Sequence, residues 1–530
     1  MDTSDHTPVN TSAAKASGEP AAAPAPHYLD IHAMMRPDKV ALICGERSLT
    51  YAGLNARARR VANALSKLGV KADDRVAVMS HNSLETLEIV GGLSKLSAIG
   101  VLLNYRLREH EVAYILNDCQ SKVVIAGPEL VEVVDKARAE VPGEVVYVAI
   151  GEAVPTGWLG YEDLLASTSE EMPAGAGGMG SGMSYTSGTT GKPKGAYRPR
   201  GVPVNDVIQL IQAFELAEPD VHLLAGPYYH SAPSFFVALH LLLGSTIVIQ
   251  PKYDPVEALQ LIELHKVTKT FMAPTLLQRL CEVPGEVFSR YDTGSLRAII
   301  LAGAPCPYAL KERAIKRFGE CLWEFYGATE TAIVTLLRPE DQLRKPGSCG
   351  KVGPGQEIRL LDAAGNEVPD GMPGELWSRN PWLAEYYNKP EATASNTRDG
   401  FFSVGDIAYR DAEGFYYICD RKIDMIISGG VNIYPAETEA VLSAHPAVAD
   451  VAVIGVPDER WGESVKAVIE LQPGASASAG ELIAFCGERL ADYKKPRSVD
   501  FVAALPRNPT GKLLKNDIRK LYWAGSERKI

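Results

Sequence analysis

Between Arg297 and Tyr326 the chain passes from an apolar strand (Arg297 to Leu301) through a helical stretch (Tyr308 to Phe318), which Gly319 ends, into a second apolar strand (Leu322 to Tyr326). Short apolar strands separated by a helix pair side by side through a right-handed crossover, as neighbours in a parallel sheet. Ligands of such sheets collect beyond the carboxyl ends of the strands. Ala302-Gly303-Ala304 and Gly327-Ala328-Thr329-Glu330 are therefore expected to face a binding crevice.

The same alternation recurs upstream and makes the chain α/β. Leu54, Ala58, Val61, Leu65 and Leu68 repeat at helical spacing before Gly69, and the strand-like Arg75 to Met79 follows. Asp254 can cap a helix that has Pro255 at its first position and Glu257 at its third, ahead of a strand from Lys269 to Ala273. Around Asp420 to Asp424 the texture turns polar and charged. Strands at Val448 to Val456 and Val465 to Leu471, with a helix from Glu481 to Leu490, then predict a small α+β unit. A chain of 530 residues exceeds a single core. Residues 1–26, rich in Ala, Pro, Ser and Thr, carry too little apolar surface to offset the entropy of ordering and read as a disordered leader. The expected division is that leader, a large domain over 27–420 and a small domain over 421–530.

Composition removes several classes of function. No stretch reaches the roughly 18 uninterrupted apolar residues of a membrane span. The most apolar window, Phe235 to Ile249, is interrupted by His240, Gly244, Ser245 and Thr246 and reads as a buried helix–strand pair. The eight cysteines are scattered, without a CxxC pair or histidines at metal-ligand spacing, which fits reduced thiols in a cytoplasmic protein. A net charge of -11 argues against nucleic acid as a partner. The tail from Ala491 differs, with ten Lys/Arg against four acidic residues.

The densest chemical signal is Tyr185-Thr186-Ser187-Gly188-Thr189-Thr190-Gly191-Lys192-Pro193-Lys194-Gly195. Hydroxyls, glycines and lysines in this order can wrap a polyphosphate with backbone and side-chain donors. It is not a Walker A loop: the required first glycine is Thr186, and Pro193 stands where the magnesium-holding Ser/Thr belongs.

This loop resembles the signature of the adenylate-forming superfamily of acyl-CoA synthetases, peptide-synthetase adenylation domains and luciferases. The resemblance continues in order through Tyr228-Tyr229-His230-Ser231, Tyr326-Gly327-Ala328-Thr329-Glu330, Gly405-Asp406, Asp420-Arg421 through Ser428-Gly429-Gly430, and Pro506-Arg507-Asn508-Pro509-Thr510-Gly511-Lys512, covering about Tyr28 to Lys520. It implies a large N-terminal domain of packed α/β subdomains with a small β-barrel-like part, followed by a small mobile α+β domain.

The resemblance also implies roles. Thr186 and the 187–192 loop, with Ala302, Gly303, Ala304 and Tyr326 through Thr329, would hold ATP. Glu330 would hold magnesium through hard oxygen ligation. Asp406 and Arg421 would bind ribose or phosphate, and His230 would gate the acyl pocket. Lys512 would bridge the substrate carboxylate and the α-phosphate and then swing away as Gly429 and Gly430 admit coenzyme A. Trp461 can stack on the adenine of that thiol, and Lys495 and Arg497 can meet its phosphates. Aligned by motif, the acyl pocket would be lined by Tyr229, Phe235, Met272, Ala302, Phe325, Ala332 and Ile333, a set without a fixed counter-charge. The expected reaction is activation of a fatty, aryl or polycyclic carboxylic acid by ATP to an acyl-adenylate, followed by transfer to coenzyme A. A free-standing ligase loading a carrier protein, a luciferase-like oxygenase and a non-catalytic acyl or nucleotide sensor share parts of the pattern; oligomeric state leaves no sequence signal. Departures from the family are Ile423 at the hinge, Asn380 and Glu385 where glycine is common, and Tyr197-Arg198-Pro199-Arg200 after the phosphate loop.

Overall fold

A computed structural model describes residues 26–171, 182–186, 192–199, 201–421, 424–428, 431–458, 460–507 and 513–523. Ser187 through Gly191, Gly429, Gly430, Ile423 (expected at the hinge) and Lys512, like residues 1–25 of the expected leader, lie outside the described residues.

The expected crossover is present. The strand Ala298–Leu301, the helix Tyr308–Phe318 and the strand Leu322–Ala328 follow one another, and the two strands pair in parallel. Gly319 ends the helix at φ +82, a conformation that suits a residue without Cβ. Asp254 accepts from the backbone N–H of both Val256 and Glu257 and starts the helix Pro255–His265. The apolar window resolves into the helix Ser231–Leu243 and the strand Thr246–Ile249, with Gly244 between them at φ +85. In the small unit the helix runs Ala479–Gly487, started by a capping box between Ser478 and Glu481 and ending three residues before the expected Leu490.

Among the described residues these elements build four sheets. A nine-stranded sheet runs, in spatial order, through Lys351–Val352, Ala332–Leu337, Leu322–Ala328, Ala298–Leu301, Lys269–Met272, Val221–Leu224, Thr246–Ile249, Val40–Cys44 and Arg47–Thr50. Its six central strands are parallel. An eight-stranded sheet is parallel from Gly182–Thr186 to Leu159–Gly160 and ends at its other edge in the antiparallel strands Lys194–Tyr197 and Glu385–Tyr386. The part expected to be barrel-like is a six-stranded antiparallel sheet, from Thr397–Arg398 to Tyr416–Arg421, that does not close on itself. The fourth sheet, with Gly462–Leu471 at its centre and the helices Pro435–Ser443, Ala479–Gly487 and Lys515–Trp523, forms the small α+β unit. Among the described residues no helix is long and apolar enough to cross a membrane.

Candidate active site where three sheets meet

The loop expected to wrap phosphates lies in sequence between the strands Gly182–Thr186 and Lys194–Tyr197, whose last pair is Thr186 with Lys194. The acidic motif sits on another sheet, in the turn between Leu322–Ala328 and Ala332–Leu337. The fold brings the two together: the Thr186 hydroxyl donates to Glu330 Oε1 at 3.1 Å. The Tyr386 hydroxyl donates to the same oxygen at 2.8 Å. Burial, and then the Glu330 charge, keeps Tyr386 protonated by pushing its phenol well above the ordinary value. Glu330 is buried, and its acceptor sits among hydroxyl donors. A hard divalent cation that is carried mainly by phosphates needs only one or two protein carboxylates, and among the described residues no group of three or more His, Cys, Asp or Glu is placed to hold a metal alone. The residues present fit magnesium delivered with ATP.

The acidic turn depends on two unusual backbone positions. A Cβ on Gly327 would lie 1.8 Å from the Ala332 carbonyl oxygen, so the strands approach this closely only with glycine there. Ala332 itself is left-handed at φ +55, a conformation costing a non-glycine residue about 1 kcal/mol or more. The Thr331 hydroxyl accepts from Ala328 N–H at 3.2 Å, and the Thr329 hydroxyl lies 3.2 Å from that of Ser231. The third sheet contributes Asp406, which accepts from the Tyr326 hydroxyl at 2.6 Å and lies opposite Arg421 in the antiparallel pair. Gly303, at φ +90, and Ala304 are exposed at the carboxyl end of their strand.

Beneath the hairpin, Asp118 accepts from the Tyr185 hydroxyl at 2.8 Å and pairs with Lys389 at 2.5 Å. Lys192 lies 5.1 Å from the centre of the Tyr114 ring, and Lys194 5.0 Å from that of Tyr386. Tyr229 stands between Tyr105, edge-on at 5.3 Å, and His230 at 4.3 Å. Burial, followed by the charge of Arg106, lowers His230 to about 4, so its ring is neutral at physiological pH.

Phe235, Phe325, Ala302, Ala332 and Ile333 share one apolar cluster. Met272 does not join them. It is fully buried in the cluster on the other face of the sheet, with Leu277 and Leu301, and its neighbour Phe271 joins the cluster that holds Phe325. Successive side chains of a strand point to opposite faces, so both cannot line the same pocket.

In the small unit Arg497 lies 5.6 Å from the Trp461 ring centre, which brings together two residues 36 positions apart, while Lys495 is engaged with Asp492 at 2.5 Å. Asp420 accepts from Ala436 N–H at the start of the helix Pro435–Ser443.

Several neighbours of the site escaped the sequence reading. The segment 380–387 lies between the hairpin and the acidic turn: Ala384 N–H donates to the Glu330 carbonyl at 2.8 Å, and Glu385 and Tyr386 pair with Tyr197 and Ala196. Arg198 donates to the carbonyls of Thr329 and Trp382, each at 2.6 Å. The only sequence signals were departures from family pattern at Arg198, Asn380 and Glu385.

Comparison with known proteins agrees with this geometry. Residues 29–388 match the AMP-binding enzyme family and residues 437–512 its C-terminal domain. The indoleacetate–CoA ligase of Aromatoleum aromaticum is 36% identical over 501 residues, covering 93% of this chain and 97% of that protein. A long-chain-fatty-acid–CoA ligase of Mycobacterium tuberculosis is 38% identical over 484 residues, covering 90% of this chain and 93% of that protein. The o-succinylbenzoate CoA synthetase of Bacillus subtilis, solved in complex with its acyl-adenylate intermediate, superposes with a TM-score of 0.82 at 31% identity, covering 94% of this chain and 98% of that one. With both family regions matched in order along a chain that carries the hairpin, the acidic turn and the small unit, the protein belongs to the AMP-binding enzyme family.

Proposed function

We infer that this protein is an AMP-forming acyl-CoA synthetase acting on an apolar carboxylic acid, fatty, aryl or polycyclic. The observation that carries this reading is the hydrogen bond from Thr186 to Glu330, which sets an anion-wrapping hairpin against a buried carboxylate beside an apolar cluster.

In the first step a carboxylate oxygen forms a bond to the α-phosphorus of ATP while the bond to pyrophosphate breaks. Positioning and electrostatic stabilisation supply most of the catalysis in such a displacement. Thr186 and Lys192 would face the phosphates, and Tyr326 with Asp406 would orient the nucleoside. Glu330 would hold magnesium, which neutralises charge on the departing pyrophosphate. Lys512 is our candidate for the cation that bridges carboxylate and α-phosphate. In the second step the thiol of coenzyme A loses its proton to solvent, its sulfur bonds to the acyl carbon, and the bond to AMP breaks. Gly429 and Gly430, with Trp461, Lys495 and Arg497, are the candidate path and contacts for that thiol. We place the functional division near residue 421, where the third sheet ends and the fourth begins. We assign the protein to the cytoplasm, in keeping with eight free cysteines.

Pyrophosphate release with ATP, magnesium and coenzyme A across fatty, aromatic and steroid carboxylic acids tests the reading. Acid-dependent release with thioester formation is expected. Release with none of the acids sinks the reading, and release without thioester would redirect the acceptor to a carrier protein.

A further inference from the structure

Two of the residues by which this chain departs from its family's pattern, Arg198 and Asn380, hold the backbone of one residue, Trp382. Trp382 is 5% exposed and packs in the cluster that holds Phe235, Phe325, Ala332 and Ile333. Its ring meets Phe235 nearly edge-on, with centroids 5.7 Å apart and planes at 62°. Its backbone is held at both ends: its N–H donates to the Asn380 side-chain oxygen at 2.6 Å, and its carbonyl accepts from Arg198 Nε at 2.6 Å.

The same groups hold the acidic turn. The carbonyl of Thr329 accepts from Arg198, that of Glu330 from Ala384 N–H and that of Thr331 from the Asn380 amide, while that of Ile333 accepts from Gln356, which itself bonds Asn380. Arg198 is half-buried and stays charged, since burial lowers it only to about 10. A planar fork with donors on Nε and Nη2 can satisfy two carbonyls at once; an ammonium in its place is a single point donor. The wall of the apolar cluster and the turn bearing Glu330 are thus joined through the Arg198 guanidinium and the Asn380 amide.

We propose that Trp382 is a specificity-determining wall of the acyl pocket, that Arg198 is the positioning residue holding it, and that this wall selects acids carrying a flat ring near the carboxylate. The proposal rests on the acyl-CoA synthetase reading. Edge-to-face and offset contacts with Trp382, Phe235 and Phe325 reward a planar ring beyond its buried area, whereas a straight alkyl chain gains only the area term. An indole packed against Phe235 on a backbone fixed at both ends also keeps its orientation while a ligand enters, so less side-chain ordering accompanies binding.

The test measures kcat/KM for cinnamate and 2-naphthoate against octanoate and dodecanoate, with KM for ATP recorded alongside, in the wild type and in Trp382→Leu, Trp382→Phe and Arg198→Lys. The wild type is expected to prefer the aromatic acids. Trp382→Leu should lower the aromatic-to-alkyl ratio about three- to tenfold, through KM for the acid with KM for ATP unchanged, and Arg198→Lys, which also loosens the turn bearing Glu330 and so raises KM for ATP, should lower the same ratio about threefold. Trp382→Phe, which keeps a ring, should hold the ratio within about twofold. A wild-type preference for alkyl acids overturns the proposal, as does a loss in the Leu and Lys variants that is equal for every acid, the mark of a merely structural role. If Trp382→Leu does not fold, the Arg198→Lys ratio decides. Absence of pyrophosphate release with any acid in the wild type is a different outcome and overturns the synthetase reading itself.

Discussion

Gly327→Ala is the sharpest single test of the site. Gly327 pairs antiparallel with Ile333, just past the register shift that separates it from Tyr326. An added Cβ lies 1.8 Å from the Ala332 carbonyl oxygen and 2.9 Å from the Ala332 carbonyl carbon. Cβ atoms do not sit closer than about 3.0 Å to such atoms, so the strands must part by ~1.2 Å. Ala332 is already left-handed and has little freedom to move aside. Overpacking of this kind costs about 1–3 kcal/mol of stability. The larger effect falls on activity, because the opening carries Thr329 and Glu330 away from Thr186 and the 3.1 Å bond between hairpin and turn is lost. A displacement of ~1 Å at a positioned group costs on the order of 100-fold in rate. Acid-dependent pyrophosphate release at saturating ATP and magnesium, corrected for the folded fraction from a thermal melt, should fall by about that factor. Gly285→Ala is the control, since its Cβ meets nothing within 4 Å. Gly327→Ala retaining activity within about threefold of wild type, with an unchanged melt, would refute the close approach of the two strands and the role given to the turn.

Three further outcomes are expected. Lys512→Ala should abolish acyl-adenylate formation yet still convert supplied acyl-adenylate and coenzyme A to thioester; equal loss of both half-reactions would exclude the exchange of faces by the small domain. Trp461→Ala should raise KM for coenzyme A by about five- to thirtyfold, the worth of a lost stacking and cation–π contact, without changing pyrophosphate release in the adenylation half-reaction; an unchanged KM would remove Trp461 from the thiol path. Stability should fall between pH 6.5 and 4. Burial lowers His240 to about 4, and its stacked partner His222, 4.4 Å away, is held well below 6.5 by burial and then by His240, with Lys269 lowering both and Asp220 raising His240. Folded values below the unfolded one mean that this stability is fully present above about pH 6.5 and is lost as the unfolded chain takes up protons below it, up to about 3 kcal/mol for His240. Urea midpoints that stay flat across that range in the wild type, or fall equally in His240→Leu, would contradict the assignment.

Local chemistry alone determined a good part of this protein. The crossover around Tyr308–Phe318, the Asp254 cap and the anion-wrapping make-up of residues 185–195 follow from rules that act over a few residues: side-chain periodicity, helix-end hydrogen bonds and phosphate-wrapping composition; the other motifs, Gly327 among them, were legible by resemblance to a family. Tertiary structure decided what those rules cannot reach. Thr186 and Glu330 are 144 positions apart on different sheets, and only packing sets one hydroxyl against one carboxylate oxygen. The strand Lys269–Met272 is buried throughout, so it carries no polar alternation to say which side joins which apolar cluster, and only the sheet's packing set Phe271 rather than Met272 beside Phe325. Arg198 and Trp382 lie outside every motif. Their partnership depends on backbone carbonyls, which any residue presents, so it leaves no residue-type signature, and it exists only because 380–387 lies against the acidic turn.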